Sequence, residues 1–102
     1  MTYQTGTIEQ LFHQDNSGYP NDLTENVSYT PQQFGAPAEA KIIDGTVFVS
    51  PHVLRGNAWL DSPNVTGDTV QFVVHTQAAG GFPFGHHSSE IEVRTTFQWY
   101  TN

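Results

Sequence analysis

The residues best suited to chemistry are five histidines, ten carboxylates and the run His86-His87-Ser88-Ser89. A metal site needs His, Asp or Glu side chains converging at about 2 Å from one ion. Adjacent His86 and His87 point to opposite sides of an extended chain, and neither a His-x-His nor a His-x-x-x-His spacing occurs. The paired histidines are therefore expected to hydrogen-bond or pack in a loop, with no metal and no other cofactor. Nucleophilic catalysis requires an activated Ser or Cys beside an oriented base. Ser88 and Ser89 flank His87, but neighbours in sequence do not make a triad, and there is no nucleophile elbow or phosphate-cradling glycine loop. Glu90 and Glu92, two residues apart, share one face of an extended strand, which reads as a solvated face rather than an acid/base pair. The expectation is a protein that is not an enzyme.

Two further patterns bear on function. Asn26-Val27-Ser28 and Asn64-Val65-Thr66 match the N-glycosylation acceptor pattern. Three-residue matches arise by chance, and without a secretion signal chance is the better reading. Tyr19, Phe34, Phe82 and Phe84 fall in stretches without regular periodicity. They can stack on sugar rings, or Phe82 and Phe84 can instead cap one end of the core or form an oligomer contact. Phe, Tyr, His and small polar residues together suit a shallow polar pocket better than a deep catalytic one.

The elements that must position these residues read as strands. Glu90 to Trp99 alternates strictly, with Ile91, Val93, Thr95, Phe97 and Trp99 on one face and Glu90, Glu92, Arg94, Thr96 and Gln98 on the other, as a half-buried antiparallel strand requires. Thr69 to Thr76 places Val70, Phe72 and Val74 on one face, and Gln71, Val73 and His75 on a second face that is partly buried too. Thr46 to Ser50 is a strand stopped by Pro51. Ala40 to Asp44 precedes it through a hairpin at Asp44-Gly45. Asn26 to Thr30, Asn57 to Leu60 and Thr5 to Phe12 complete the set. Gln14 to Leu23, Thr30 to Glu39 and Gln77 to Ser89 are irregular. Six prolines and nine glycines leave few windows for a helix. The whole predicts one all-β domain over residues 1–102, an antiparallel sandwich of about six or seven strands.

Composition bounds the partners. Ten carboxylates stand against Lys41, Arg55 and Arg94, for a formal net charge of −7. A phosphate backbone needs several cations to displace its counterions, so nucleic acid is excluded, and an anionic membrane surface is disfavoured for the same reason. No apolar run approaches the roughly 20 residues of a membrane-spanning helix, so no membrane insertion is expected. The N-terminal Met1-Thr2-Tyr3-Gln4-Thr5 lacks the basic start and apolar middle of a signal peptide. The expected location is a virion, or the extracellular space after release in an assembly, by lysis, or after loss of a leader. The absence of cysteine rules out disulfides. Only 13% of residues are charged, so the surface gains its solubility from hydroxyls and amides, groups that also hydrogen-bond sugars.

Several segments in order are similar to one family. Tyr3-Gln4-Thr5-Gly6-Thr7-Ile8-Glu9 resembles the opening strand of the H-type lectins, the snail-agglutinin group, with its Gly-x-Ile core. Glu25 to Pro31, followed by Phe34 and Pro37, resembles the family's second strand and its Phe/Pro turn. Val70 to Thr76 with Gly81-Phe82, and Val93 to Tyr100 with Trp99, resemble its Gly-Phe turn and closing strand. The resemblance implies a trimeric β-sandwich that binds galactose-type glycans near subunit boundaries. Carried over by position, Asn21 and Asp22 would bond sugar hydroxyls, His75 and His86 would add donors beside His87, and Tyr19 or Phe82 would stack. The sequence departs from the family where an Arg and a Trp near the sugar give way to Val73 and to His86 or Ser88, and where the family disulfide is missing. This puts galactose specificity in doubt more than the fold. Domains of this kind also occur fused to phage tail proteins. The reading is thus a lectin-like attachment module, with a structural virion protein (capsid decoration or tail component) binding other virion proteins as the alternative.

Overall fold

In a computed structural model, which describes residues 1–14, 21–78 and 88–102, the described residues form eight strands in two antiparallel sheets packed face to face. They are β1 (Thr2–Gln14), β2 (Asn21–Tyr29), β3 (Lys41–Ile42), β4 (Phe48–Arg55), β5 (Asn57–Leu60), β6 (Asn64–Thr66), β7 (Thr69–Ala78) and β8 (Ser89–Thr101), with one 3-10 turn at Pro31–Phe34. In the first sheet β8 is central, with β1 on one side and β3 and β4 on the other; in the second β7 is central, between β2 and the pair β5 and β6. The two long partners of the first sheet stay in register from Thr2↔Thr101 to Gln14↔Ser89. The result is slender, 60 × 21 × 19 Å, because thirteen-residue strands run roughly 43 Å along the long axis.

Period-two alternation sets the core. Ile91, Val93, Phe97 and Trp99 from β8 meet Val70, Phe72 and Val74 from β7, with Phe12, Val27, Tyr29, Ala40, Ile42 and Ala58 completing the buried cluster. The expected inward faces of these two central strands are the observed ones. At one end Phe34 lies over Gly6, where an added Cβ would come within 2.6 Å of its ring. There Phe34 stacks on Trp99 and meets Phe97 edge-on. Phe34 therefore closes the sandwich end instead of standing free in a loop.

Three local expectations are corrected. Pro51 does not stop a strand: β4 runs on to Arg55, because it is an edge strand whose Pro lacks only an outward-facing donor. Asp44-Gly45 does not make a hairpin. Gly45 alone has positive φ there (81°), whereas the hairpin turn for Asp-Gly needs it at both central residues. The turn instead bridges β3 and β4, which lie in line along β8. A true hairpin joins β6 and β7 through Gly67-Asp68, with positive φ only at Gly67 (63°), the pattern of a type II′ turn. It adds a strand, β6, where none was expected, and so takes the seven read from the sequence to eight among the described residues.

Candidate functional site

The outer face of the second sheet is assembled by register. Going down β7 from its loop end, successive outward rows are Asp22–Gln77–Asn57, then Thr24–His75–Trp59, then Asn26–Val73, then Ser28–Gln71–Asn64. The strands alternate because Val27, Tyr29, Ala58, Val70, Phe72 and Val74 must face the core. Everything between them is turned outward.

The second row is the most ordered. Trp59 and His75 are a direct cross-strand pair with rings 4.9 Å apart and only 8° from parallel. His75 Nε2 lies 2.9 Å from Asp61 Oδ2, and in the Nε2–H tautomer the ring donates to that carboxylate. Asp61 is itself fixed, since its backbone N–H donates to the Val73 carbonyl at 3.0 Å and extends the β5 ladder. The imidazole is largely covered, with 18% of its side chain exposed, while Asp61 is 58% exposed. Trp59 keeps 37% exposure despite the stack. An aromatic held flat on one side and open on the other is a platform for an apolar ring face. Asn57 Nδ2 donates to Gln77 Oε1 at 2.7 Å one row away, fixing the rim.

Beside this platform lies a groove of about 310 Å³ over Val73, rimmed by Asn26, Ser28, Asp61, Ser62, Asn64 and Gln71. The two glycosylation-like triplets both fall here, for a geometric reason: positions i and i+2 of a strand share a face, so Asn26 and Ser28 point outward together. Among the described residues no group of three His, Asp or Glu side chains is placed to hold a metal ion.

Of the residues expected to bind ligand, His75 and Asp22 share this face in adjacent rows. Asn21 opens β2 opposite Ala78. Tyr19, Phe82, His86 and His87, like Phe84, lie outside the described residues. The strand ends flanking their segments, Gln14 with Ser89 and Asn21 with Ala78, meet at one end of the molecule. That end has a buried polar floor. Ser89 Oγ accepts from the Asn57 backbone N–H and donates to the Gln77 carbonyl, and Thr76 Oγ1 donates to Gln14 Oε1 at 3.0 Å.

A scan of known protein-family models finds no match to this chain, nor do searches of curated proteins and of solved structures. The geometry must therefore speak for itself. Sequence reasoning missed Trp59, Asp61 and the groove. Trp59 was legible in principle, since Ala58 and Leu60 alternate against it; the groove was not, because it needs the register of three strands.

The first sheet differs in kind. Its outer face carries Arg94 with Glu9, and Glu90 between His13 and Arg55 at 3.3 Å each. Glu90 is only 18% exposed, so it is a paired, partly covered carboxylate and not the simply solvated one expected. Arg94 is largely in water. Among the described residues no helix is long and apolar enough to cross a membrane.

Proposed function

We propose that the protein is a carbohydrate-binding attachment module of the lectin type, which takes a sugar ring against Trp59 on the outer face of the second sheet. The observation that carries this reading is the Trp59–His75 stack braced by Asp61, an exposed aromatic in a hydroxyl- and amide-rich surrounding. Sugar rings offer an apolar face of C–H groups to such a plane, and their hydroxyls bond to Asp22, Asp61 and the neighbouring amides. The resemblance to H-type lectins supports the same reading, and with it a homotrimer, a galactose-type glycan and a place in a virion or outside the cell. A glycan array followed by titration calorimetry tests the activity. Trp59→Ala is expected to cost about 2 kcal/mol of binding, roughly thirtyfold, with only a small fall in the thermal midpoint from loss of the stack on His75. Equal affinity in the variant would move the site elsewhere, and no glycan bound at millimolar concentration would remove the reading. Light scattering tests the trimer.

The alternative, a structural virion component, draws on the opposite face. Tyr3, Leu11 and Phe48 are large, exposed and on outward positions of the first sheet, where a neighbouring protein chain would cover them. Co-purification with capsid or tail would favour it.

A further inference from the structure

The groove beside the Trp59 platform has two properties that a bare strand face lacks. Its floor is the half-buried Val73, flanked by the strands at Val27 and Phe72, whose own side chains point into the core. Its rim consists of short amides and hydroxyls, and those of Asn26, Ser28, Ser62, Asn64 and Gln71 make no hydrogen bond to any described residue. Elsewhere on the sheets comparable groups are engaged with one another, as Asn57 is with Gln77 and Thr7 with Thr96. An apolar floor under unengaged donors and acceptors is the pattern of a small-ligand cleft, and about 310 Å³ lies at the lower end of the usual range of roughly 300–1,000 Å³.

Groove and platform are one surface. Asp61 belongs to both, bracing His75 with Oδ2 and lining the groove. From the row of Trp59 to the row of Asn64 and Gln71 is four residues along β7, roughly 14 Å, a length no single pyranose covers. Charge narrows the occupant further. The only three Lys and Arg residues, Lys41, Arg55 and Arg94, lie in β3, β4 and β8, all in the first sheet. The second sheet and its turns carry Asp22, Glu25, Asp61 and Asp68 with no Lys or Arg to offset them.

Resting on the lectin reading above, we propose that the groove lined by Asn26, Ser28, Asn64 and Gln71 is a second sugar subsite, contiguous with Trp59 through Asp61, so that the ligand is a neutral oligosaccharide and not a lone or anionic sugar. One ring lies on the indole; the next lies over Val73 with its hydroxyls on the amide rim. Carboxylated sugars meet Asp61 and find no Lys or Arg on this sheet.

Titration calorimetry on the intact chain separates this from the parent reading. The probes are methyl glycosides of galactose, N-acetylgalactosamine, glucose and mannose, the neutral tetrasaccharides ending in each, and sialylated counterparts. The best tetrasaccharide is expected to bind at least tenfold more tightly than its methyl glycoside. Asn64→Ala and Gln71→Ala, both at exposed positions, should each weaken the tetrasaccharide about three- to tenfold and leave the methyl glycoside unchanged. Side-chain amide signals of Asn64 and Gln71 should shift with the tetrasaccharide only. Equal affinity for the two lengths, or equal losses for both in the variants, overturns the subsite while the Trp59 site stands. A sialylated glycan bound more tightly than its neutral parent overturns the neutral class. Silence across the whole panel overturns the lectin reading and the subsite together.

Discussion

Single residues in this sandwich carry their own chemistry apart from any ligand. Thr95 sits fully buried between the sheets, and its Oγ1 has no hydrogen-bond partner among the described residues. Burying a hydroxyl without a partner is unfavourable, and an apolar group of the same shape removes that penalty. Thr95→Val is therefore expected to stabilise the fold by about 1 kcal/mol, read as a higher urea midpoint at unchanged slope. Tyr29 is the other buried oxygen of interest. Its phenol donates to Gln10 Oε1 across the sheets, and burial, helped by the Glu25 carboxylate, raises its pKa above the ordinary 10.0. The folded chain thus holds this proton more tightly than the unfolded chain does. The stabilisation is complete below pH 10 and is lost as pH rises through the folded value. Ultraviolet titration should show one phenol lagging the rest, absent in Tyr29→Phe, and the wild-type urea midpoint should fall above pH 10.

At the scale of elements, the end of the sandwich depends on a missing side chain. Gly6 is flat under Phe34, and a methyl group there would overlap the ring at 2.6 Å. Gly6→Ala should cost about 1–3 kcal/mol through displacement of Phe34 from Trp99. In a Phe34→Ala background the same change should be neutral or stabilising, since a strand otherwise prefers Ala to Gly. A double-mutant cycle in urea measures the difference. Elements were legible in the sequence where one face had to be apolar. The alternation of Ile91 to Trp99 and of Val70 to Val74 forced both central strands and their inward faces. They were illegible where a neighbour decided. Pro51 reads as a stop only until β4 is known to be an edge, and Asp44-Gly45 reads as a hairpin only until β3 and β4 are both seen to pair with β8. The candidate site follows the same division. His75 and Asp22 were named only through position in the family resemblance, whereas the company of Trp59, Asp61 and the groove depends on cross-strand register that no single segment contains.

The whole molecule is two unlike sheets back to back. One presents Arg–Glu pairs with exposed Tyr3, Leu11 and Phe48, the other amides, hydroxyls and the Trp59–His75–Asp61 group. Exposed ion pairs such as Arg94–Glu9 contribute at most about 1 kcal/mol, so the first face does little for the monomer's stability and is open to a neighbouring chain. The register Thr2↔Thr101 has a different consequence, one of order in time. The in-sheet neighbour of β1 is β8, so β1, β3 and β4 wait unpaired until the chain has been made through β8. Such long-range closure makes folding slow, on the order of milliseconds to seconds. Stopped-flow refolding should show that timescale, and chains stalled before Ser89 should remain open to protease. It is β8, which follows all three of its sheet partners along the chain, that commits this protein to its shape.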